Sequence, residues 1–306
     1  MKIKVYEDVV ETTGKIRLHY VSRGEGLAII FCNGIGVSAA NFWSGLCTPL
    51  SQYYRTINWD YQGHGSSDPP IRPEHMTIRS CADDLCHLMD NLEIEKAVIV
   101  GHSMGVQVAF EFFRNYRERV LGLIPVLGTY KHPLDTAFQR IPYVPEGFQQ
   151  IRKAATSFPS TLDAVWPMLF DPRLGKKFAR AVGLVHPTKL ADWELDIYLG
   201  HLQSISYEMI LHLANDMQEH SVEDLLEHVD VPTLIFAGEK DLFTPPEVSL
   251  FMHRRIPHSR FVLVEDGTHT AHAEQPELFM LHAFKFMTDF FPGTARPFQS
   301  PFTASV

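Results

Sequence analysis

Cysteine is scarce in this chain of 306 residues, which contains four: Cys32, Cys47, Cys81 and Cys86. They form no Cys-x-x-Cys pair and show no Cys/His spacing typical of a zinc site. A disulfide framework is therefore not expected. We interpret the four as reduced, mostly buried thiols in the reducing interior of a cell.

Long apolar runs are also missing. Residues 1–7 mix lysine with isoleucine, valine and tyrosine, unlike the apolar stretch of a signal peptide. No later segment reaches the roughly 20 consecutive apolar residues that a membrane-spanning helix needs. We therefore expect a cytoplasmic protein without membrane insertion.

Positive charge is in deficit, because 27 Lys and Arg face 36 Asp and Glu for a net charge of −9. This balance has the wrong sign for a protein that binds the phosphate backbone of nucleic acid. The expected partner is instead a small-molecule substrate, and the oligomeric state stays open. Hydrophobic residues make up 45% of the chain, which is enough for a substantial buried core.

Short β-branched or apolar runs alternate with helical patterns along most of the chain. In one helical pattern, apolar residues recur at three- and four-residue steps from Ile78 to Leu92, as on the buried face of an amphipathic helix. The alternation predicts an α/β fold, a mostly parallel central sheet flanked by helices. The predicted strands are Lys15–Val21, Leu27–Cys32, Arg55–Trp59, Lys96–Val100, Val120–Leu127, Pro232–Ala237 and Arg260–Val264.

The alternation stops at residues 129–228, where proline-punctuated helical patterns take its place. We interpret this stretch as a mainly helical cap inserted into one core, residues 1–128 and 229–291, with a loose tail at 292–306. The large apolar side chains of the cap are candidates for a pocket roof, or they form the interior of the cap itself. They are Phe158, Trp166, Met168, Leu169, Phe170, Trp193, Tyr198, Met209 and Met217.

A serine stands at the centre of a glycine turn, Gly101-His102-Ser103-Met104-Gly105. The strand Lys96–Val100 runs directly into this turn, and residues 106–116 follow with helical spacing. In a strand, turn and helix of this kind the backbone at the serine is strained and its hydroxyl is pushed into the open. Ser103 is therefore a candidate nucleophile, with an ordinary serine in a glycine turn as the alternative.

From about residue 15 to 291 the chain resembles the α/β-hydrolase superfamily, in the group with a helical cap. Four landmarks match in order. They are Asn33-Gly34-Ile35-Gly36 after one strand, Asp60-Tyr61-Gln62-Gly63-His64-Gly65-Ser66-Ser67 after the next, the serine turn, and a late carboxylate followed by a histidine. The resemblance implies a serine hydrolase with a Ser-Asp-His triad and no metal or organic cofactor.

A serine hydroxyl is a poor nucleophile at neutral pH, so it needs a base, and the base needs an orienting acid. The resemblance places the base at His269, with His272 as an alternative that more readily lines or closes the site. It places the acid at Asp241, with Glu239 and Asp266 as alternatives. The order serine, aspartate, histidine is that of the superfamily.

Negative charge on the substrate oxygen requires donors that are already in place. The resemblance assigns them to the backbone N–H groups of Met104 and Ile35. Most capped members carry His-Gly before the second donor, whereas this chain has Asn33-Gly34, as in enol-lactonases and some polyester depolymerases. Asn33 is interpreted as a structural replacement for that histidine, while His64 and His102 are assigned no chemistry.

Together these residues predict hydrolysis of a carboxylic ester or lactone of a small, largely apolar substrate through an acyl-enzyme. Alternatives on the same triad are a C–C bond hydrolase, a perhydrolase and an acyltransferase. A non-catalytic small-molecule receptor is a further alternative, because a fold does not determine a function.

Overall fold

The computed structural model describes residues 3–39, 43–137 and 143–295. Within these ranges the strands are β1 (Val5–Glu11), β2 (Arg17–Arg23), β3 (Ala28–Cys32), β4 (Arg55–Trp59), β5 (Ala97–His102), β6 (Val120–Val126), β7 (Leu234–Gly238) and β8 (Arg260–Val264). They form one sheet in the order β1-β2-β4-β3-β5-β6-β7-β8. The β1/β2 and β2/β4 pairs are antiparallel, and the remaining pairs are parallel. The predicted mostly parallel sheet is confirmed.

Helices cover both faces of this sheet. They are α1 (Ser44–Leu50), α2 (Ile78–Asn91), α3 (Met104–Asn115), α4 (Pro133–Thr136), α5 (Val144–Ser157), α6 (Pro159–Leu169), α7 (Pro172–Ala181), α8 (Asp192–Ser204), α9 (Tyr207–Glu219), α10 (Pro246–Arg255), α11 (Ala271–Glu274) and α12 (Pro276–Phe290). Short 3-10 helices lie at Pro73–His75, Arg117–Arg119 and Glu223–His228. No helix in the described ranges is long and apolar enough to cross a membrane.

The central strands are buried on both faces. In β3, Ile30 and Cys32 point into a cluster shared with α2 and α3, while Ile29 and Phe31 point into a cluster shared with α1 and α12. Successive side chains of a strand point to opposite faces, so an unbroken apolar run is what a doubly covered strand requires. The serine turn directly follows β5 and packs against β3, so these buried strands give it a rigid base.

The helix α2 shows how local sequence determines an element that was predicted. The Thr77 side chain accepts the Ser80 N–H at 3.0 Å, and the Ser80 hydroxyl accepts the Thr77 N–H at 2.9 Å. This reciprocal pair satisfies backbone donors at the helix N-terminus. The apolar stripe that begins at Ile78 is buried, and its last member, Leu92, follows the helix as the residue that caps it.

The first strand of the sheet is absent from the predicted set. The strand β1 pairs with β2 along its whole length, but most of its side chains are exposed, so it lacks the apolar pattern of a buried strand. The predicted start of the next strand at Lys15 is also wrong. Lys15 has φ 61° and lies in the hairpin turn that Thr12 and Ile16 close with a 2.9 Å hydrogen bond.

Between β6 and β7 the described residues form the helices α4 to α9 and no strand of the sheet. The helix α9 packs into the main core through Met209, Leu213 and Met217. By contrast, α6 has no buried residue. Residues 292–295 of the predicted tail are described, and the rest of it lies outside the described ranges.

Candidate functional site

The backbone at Ser103 is strained. Ser103 directly precedes α3 with φ 54° and ψ −118°, a conformation that costs a non-glycine residue about 1–3 kcal/mol. Its N–H donates to the Val126 carbonyl at 3.1 Å, which ties the turn to the neighbouring strand. This hydrogen bond helps to hold the strained serine at the carboxyl end of β5, as the turn motif predicts.

The two flanking glycines are sterically required. A Cβ on Gly101 would lie 2.2 Å from the Gly105 carbonyl oxygen, and a Cβ on Gly105 would lie 2.1 Å from the Cys32 carbonyl oxygen. Both obstacles are backbone atoms, which cannot swing aside as a side chain can. The turn therefore packs against β3 with no space for any other residue type.

The structure brings together the three side chains that the sequence singled out. His269 Nε2 lies 2.9 Å from Ser103 Oγ, and His269 Nδ1 lies 2.9 Å from Asp241 Oδ2. Asp241 follows β7, and His269 follows β8. The three parallel strands β5, β7 and β8 thus deliver the three groups to the same edge of the sheet.

The surroundings of Asp241 establish which nitrogen of His269 carries the proton. Asp241 Oδ1 accepts the N–H groups of Phe243 at 2.8 Å and Thr244 at 2.9 Å, and Oδ2 accepts the Thr244 hydroxyl at 2.8 Å. This buried carboxyl group is surrounded by donors and acts as an acceptor. His269 Nδ1 must then donate to it, so Nε2 carries the lone pair that faces the Ser103 hydroxyl.

The alternative acids lie elsewhere. Asp266 pairs with Lys240, with Lys189 at 2.7 Å and with His186 at 3.0 Å. The hydrogen bonds from the two lysines hold the pKa of Asp266 well below its usual range. Glu239 is exposed, and its Oε2 accepts the backbone N–H of Asp266 at 2.8 Å. Asp266 is therefore engaged in ion pairs, and Glu239 is engaged with the Asp266 backbone.

The alternative base, His272, lies behind the site. Its buried ring packs on Trp43 at 4.7 Å and on His102 at 4.3 Å between centroids. His102 Nε2 donates to the His269 carbonyl at 2.9 Å, and burial lowers the pKa of His102 to about 3. Burial also lowers the pKa of His272, so this ring packs as a neutral group against His102, which holds the His269 backbone through its hydrogen bond.

The predicted oxyanion donors lie on the two segments that flank the serine. Met104 is the first residue of α3, where helix N–H groups have no partner within the helix. Ile35 follows Gly34, where a Cβ would stand 3.3 Å from the Ser103 Cβ. The loop of Ile35 is thus pressed directly against the serine.

His64 has a role at this loop that the sequence analysis missed. Its Nε2 accepts the Gly36 N–H at 3.1 Å, and its Nδ1 donates to the Gln62 carbonyl at 3.1 Å. Burial lowers the pKa of His64 to about 4, so the ring is neutral and Nε2 remains an acceptor at neutral pH. The motif Gly63-His64-Gly65 gave no signal of this role, because the contact with Gly36 joins residues 28 positions apart.

Asn33 serves as a structural connector. Its Nδ2 donates to the Trp59 carbonyl at 2.7 Å, its Oδ1 accepts the Trp43 indole N–H at 2.9 Å, and its carbonyl accepts the Tyr61 hydroxyl at 3.0 Å. These contacts tie the loop after β3 to the end of β4 and the start of α1. The fully buried amide satisfies its neighbours rather than facing the cavity.

The serine opens into a cavity of about 110 Å³. Of the large apolar cap residues considered from the sequence, Tyr198 lines this cavity, whereas Phe158, Met168 and Trp193 are more than half exposed. The pocket-roof interpretation is therefore wrong for these exposed residues. The lining residues are Gly34, Ile35, Val37, His102, Ser103, Leu184, Val185, Tyr198, Phe243, His269 and Thr270.

Fold and site can now be compared with known proteins. Residues 28–276 match a family model described as the alpha/beta hydrolase fold. The chain belongs to this family. No group of three or more His, Cys, Asp or Glu within residues 3–39, 43–137 and 143–295 of this family member is arranged to hold a metal ion.

Several relatives of this alpha/beta hydrolase cover most of its length. The 3-oxoadipate enol-lactonase 1 of Acinetobacter baylyi is 25% identical over 83% of this chain and 85% of its own. A putative 2-succinyl-6-hydroxy-2,4-cyclohexadiene-1-carboxylate synthase of Bacillus subtilis is 26% identical over 76% and 81%. The solved structure of a thermophilic esterase from Thermogutta terrifontis is 27% identical, with a TM-score of 0.72 over 93% and 99%. The family and its esterase and lactonase relatives support a hydrolase.

Proposed function

We propose that this family member is a serine hydrolase that cleaves a carboxylic ester or lactone of a small, largely apolar substrate through an acyl-enzyme. The observation that carries the proposal is the chain of hydrogen bonds from Ser103 through His269 to Asp241, each 2.9 Å long. A nucleophile, a base and an orienting acid in this arrangement are what acyl transfer by serine requires.

In the first step, His269 Nε2 takes the proton of the Ser103 hydroxyl while Oγ attacks the substrate carbonyl carbon. The carbonyl π bond opens, and its electron pair moves to oxygen. His269 becomes an imidazolium ion, which the carboxylate of Asp241 stabilises through Nδ1. Four hydrogen bonds already fix that carboxylate, so little reorganisation accompanies the step.

The oxyanion is held by the N–H groups of Met104 and Ile35. The first stands at the positive end of the α3 dipole. The second lies on a loop whose next N–H, that of Gly36, is already bound by His64. Because the donors are in place before the reaction, they stabilise the developing charge without a cost at the moment of attack.

The intermediate then collapses. The bond from carbon to the leaving oxygen breaks, and this oxygen receives the proton from His269 Nε2. A water molecule, deprotonated by the same nitrogen, attacks the acyl-enzyme, and the acid leaves as the Ser103 hydroxyl regains its proton. An ester yields an acid and an alcohol, and a lactone yields a hydroxy acid.

The size and lining of the cavity support a small substrate. A volume of about 110 Å³ is smaller than the about 150 Å³ of an engineered apolar cavity that binds benzene. The walls contributed by Ile35, Val37, Leu184, Val185 and Phe243 are apolar. A short acyl group fits this space, and the enol-lactonase and esterase relatives are named for reactions of the same kind.

The proposal is tested by steady-state hydrolysis of p-nitrophenyl acetate and of a panel of five- and six-membered lactones. We expect the wild type to turn over at least one of them, and Ser103→Ala to lose at least about 10⁴-fold in kcat. The matched control is Ser157→Ala at an exposed serine, which should retain full activity. An inactive wild type, or an active Ser103→Ala, would contradict the proposal.

A further inference from the structure

Two segments of the chain donate hydrogen bonds to the carboxylate of Glu274. Its Oε1 accepts the Thr268 hydroxyl at 2.5 Å, the Thr270 hydroxyl at 2.6 Å and the His186 backbone N–H at 2.7 Å. Its Oε2 accepts the Thr268 N–H at 3.3 Å. The residue is 8% exposed, so little water competes for these hydrogen bonds, and hydrogen bonds to a carboxylate are about twice as strong as those between neutral groups.

On one side of Glu274 lies the loop of His269. Thr268 and Thr270 are its two immediate neighbours, and both are 4% exposed. Both of their hydroxyl groups donate to the same carboxylate oxygen. Glu274 therefore holds the backbone on either side of the histidine that reaches Ser103.

On the other side lies the segment that forms one wall of the cavity. Leu184 and Val185 line the cavity, and the N–H of the next residue, His186, is the one that Glu274 accepts. The His186 ring reaches Asp266 at 3.0 Å, and Lys189 reaches the same carboxylate at 2.7 Å. Asp266 thus anchors the outer part of this segment, and Glu274 anchors its inner part.

We propose that Glu274 is a positioning residue that sets the His269 loop and the Leu184–Val185 wall together, so that it governs both turnover and the choice of acyl group. The proposal rests on the proposed function for its kinetic consequences. The carboxylate touches neither Ser103 nor the cavity, and it acts through the threonines and the His186 backbone.

A glutamine at position 274 would have nearly the same size and shape as the glutamate, but it would hold the two segments less firmly. The amide NH₂ would face the Thr268 N–H as donor against donor, or, if the amide turned over, it would face the three donors that now meet Oε1. Hydrogen bonds to a neutral acceptor are also about half as strong as those to a charged one. Both the His269 loop and the cavity wall should loosen.

The experiment compares wild type, Glu274→Gln and the control Glu277→Gln on p-nitrophenyl acetate and p-nitrophenyl hexanoate. Glu277 is exposed in the first turn of α12, so its variant should match the wild type. In Glu274→Gln we expect kcat for the acetate to fall about tenfold. The hexanoate-to-acetate ratio of kcat/KM should rise at least about threefold, because a looser wall admits the longer chain. Thr270→Val, which removes one donor, should change both quantities in the same direction by less.

Backbone hydrogen exchange supplies a readout that needs no activity. In Glu274→Gln the amides of His186 and Thr268 should both exchange at least about tenfold faster, while those of α3 keep their rates. Equal losses on the two esters, or faster exchange on one side alone, would overturn the proposal and leave the serine hydrolase intact. A wild type that hydrolyses no ester while Glu274→Gln loosens both segments would instead contradict the proposed function and leave the two-sided anchor standing.

Discussion

The cavity beside Ser103 has two walls that are built differently. The core wall consists of the serine turn and the loops that follow β3, β7 and β8. It rests on α3, in which every residue from Met104 to Phe113 is buried. The other wall, named the cap wall after the predicted cap, rests on the segment of Leu184 and on α8. The two helices that pack on α8 are thinly packed, since α7 has two buried residues and α6 has none. Well-packed elements hold reacting groups to a fraction of an ångström, whereas thinly packed ones tolerate change. We therefore expect changes in the core wall to affect turnover most, and changes in the cap wall to affect the choice of substrate.

The largest effect is expected where the core wall carries charge. Asp241→Asn places an amide among four donors, which favours a flipped His269 tautomer and leaves Ser103 without a base. We expect kcat for p-nitrophenyl acetate to fall about 10⁴-fold, as in other triads of this kind. An Asp241→Asn enzyme within tenfold of wild type would show that another group orients His269.

Two glycines test the difference in packing directly. In the core wall, Gly105→Ala would push a Cβ to 2.1 Å from the Cys32 carbonyl oxygen, and we expect a loss of about 3 kcal/mol or more in the free energy of unfolding. In the cap, a Cβ on Gly200 of α8 meets nothing within 4 Å. Gly200→Ala should therefore raise that free energy by about 0.5–1 kcal/mol. Urea unfolding of both variants checks the pair, and equal changes would abolish the distinction.

Acid should weaken the core wall through His64. Burial lowers the pKa of this histidine to about 4 in the folded protein, against about 6.5 in an unfolded chain. The unfolded state therefore binds more protons between these values, so the contribution of neutral His64 is fully present above pH 6.5 and is lost as the pH falls through 4. The difference of 2.5 pKa units corresponds to about 3 kcal/mol.

The matched variant is His64→Gln, whose amide oxygen stands near the place of Nε2 and does not titrate. The wild type should lose up to about 3 kcal/mol of unfolding free energy relative to this variant between pH 7 and pH 4. Urea titrations at several pH values give the comparison directly. Parallel pH profiles for the two proteins would mean that His64 is already accessible to protons in the folded state.

The smallest effect is expected on the outer face of the cap. Trp193 is 56% exposed, whereas Leu195, two residues away on α8, is fully buried. Trp193→Ala should change kcat/KM by less than about twofold and the unfolding free energy by less than about 0.5 kcal/mol. As the buried contrast on the same helix, Leu195→Ala should lower the free energy of unfolding by about 2–4 kcal/mol. A strong kinetic effect of Trp193→Ala would place that side chain at the substrate after all.

The two walls also differ in how far the sequence predicts them. The central strands are predictable because they are apolar runs in the sequence. The Gly101–Gly105 turn is predictable because its steric limits act mostly within a few residues. Ser103, His269 and Asp241 lie within hydrogen-bonding distance of one another in the predicted order. They meet because the parallel strands that precede them end at the same edge of the sheet. The strand β1 was not predicted because most of its side chains are exposed. It is held in the sheet by backbone pairing with β2, which leaves no apolar pattern in the sequence.

The cap wall could not be predicted in the same way. Large apolar residues such as Phe158 and Met168 were candidates for a pocket roof, yet they are mostly exposed to solvent. Leu184 and Val185 line the cavity, and Glu274 accepts the backbone N–H of the residue that follows them. That contact joins residues 88 positions apart, and no local periodicity encodes it.

The most direct test of the central claim is covalent labelling by a fluorophosphonate, followed by peptide mapping of the adduct. A fluorophosphonate reacts with a serine hydroxyl that a neighbouring base activates, displacing fluoride from phosphorus. The account predicts one adduct per chain on Ser103, absent in Ser103→Ala and strongly slowed in Asp241→Asn. An unlabelled native protein, or an adduct that persists on another residue in Ser103→Ala, would contradict it.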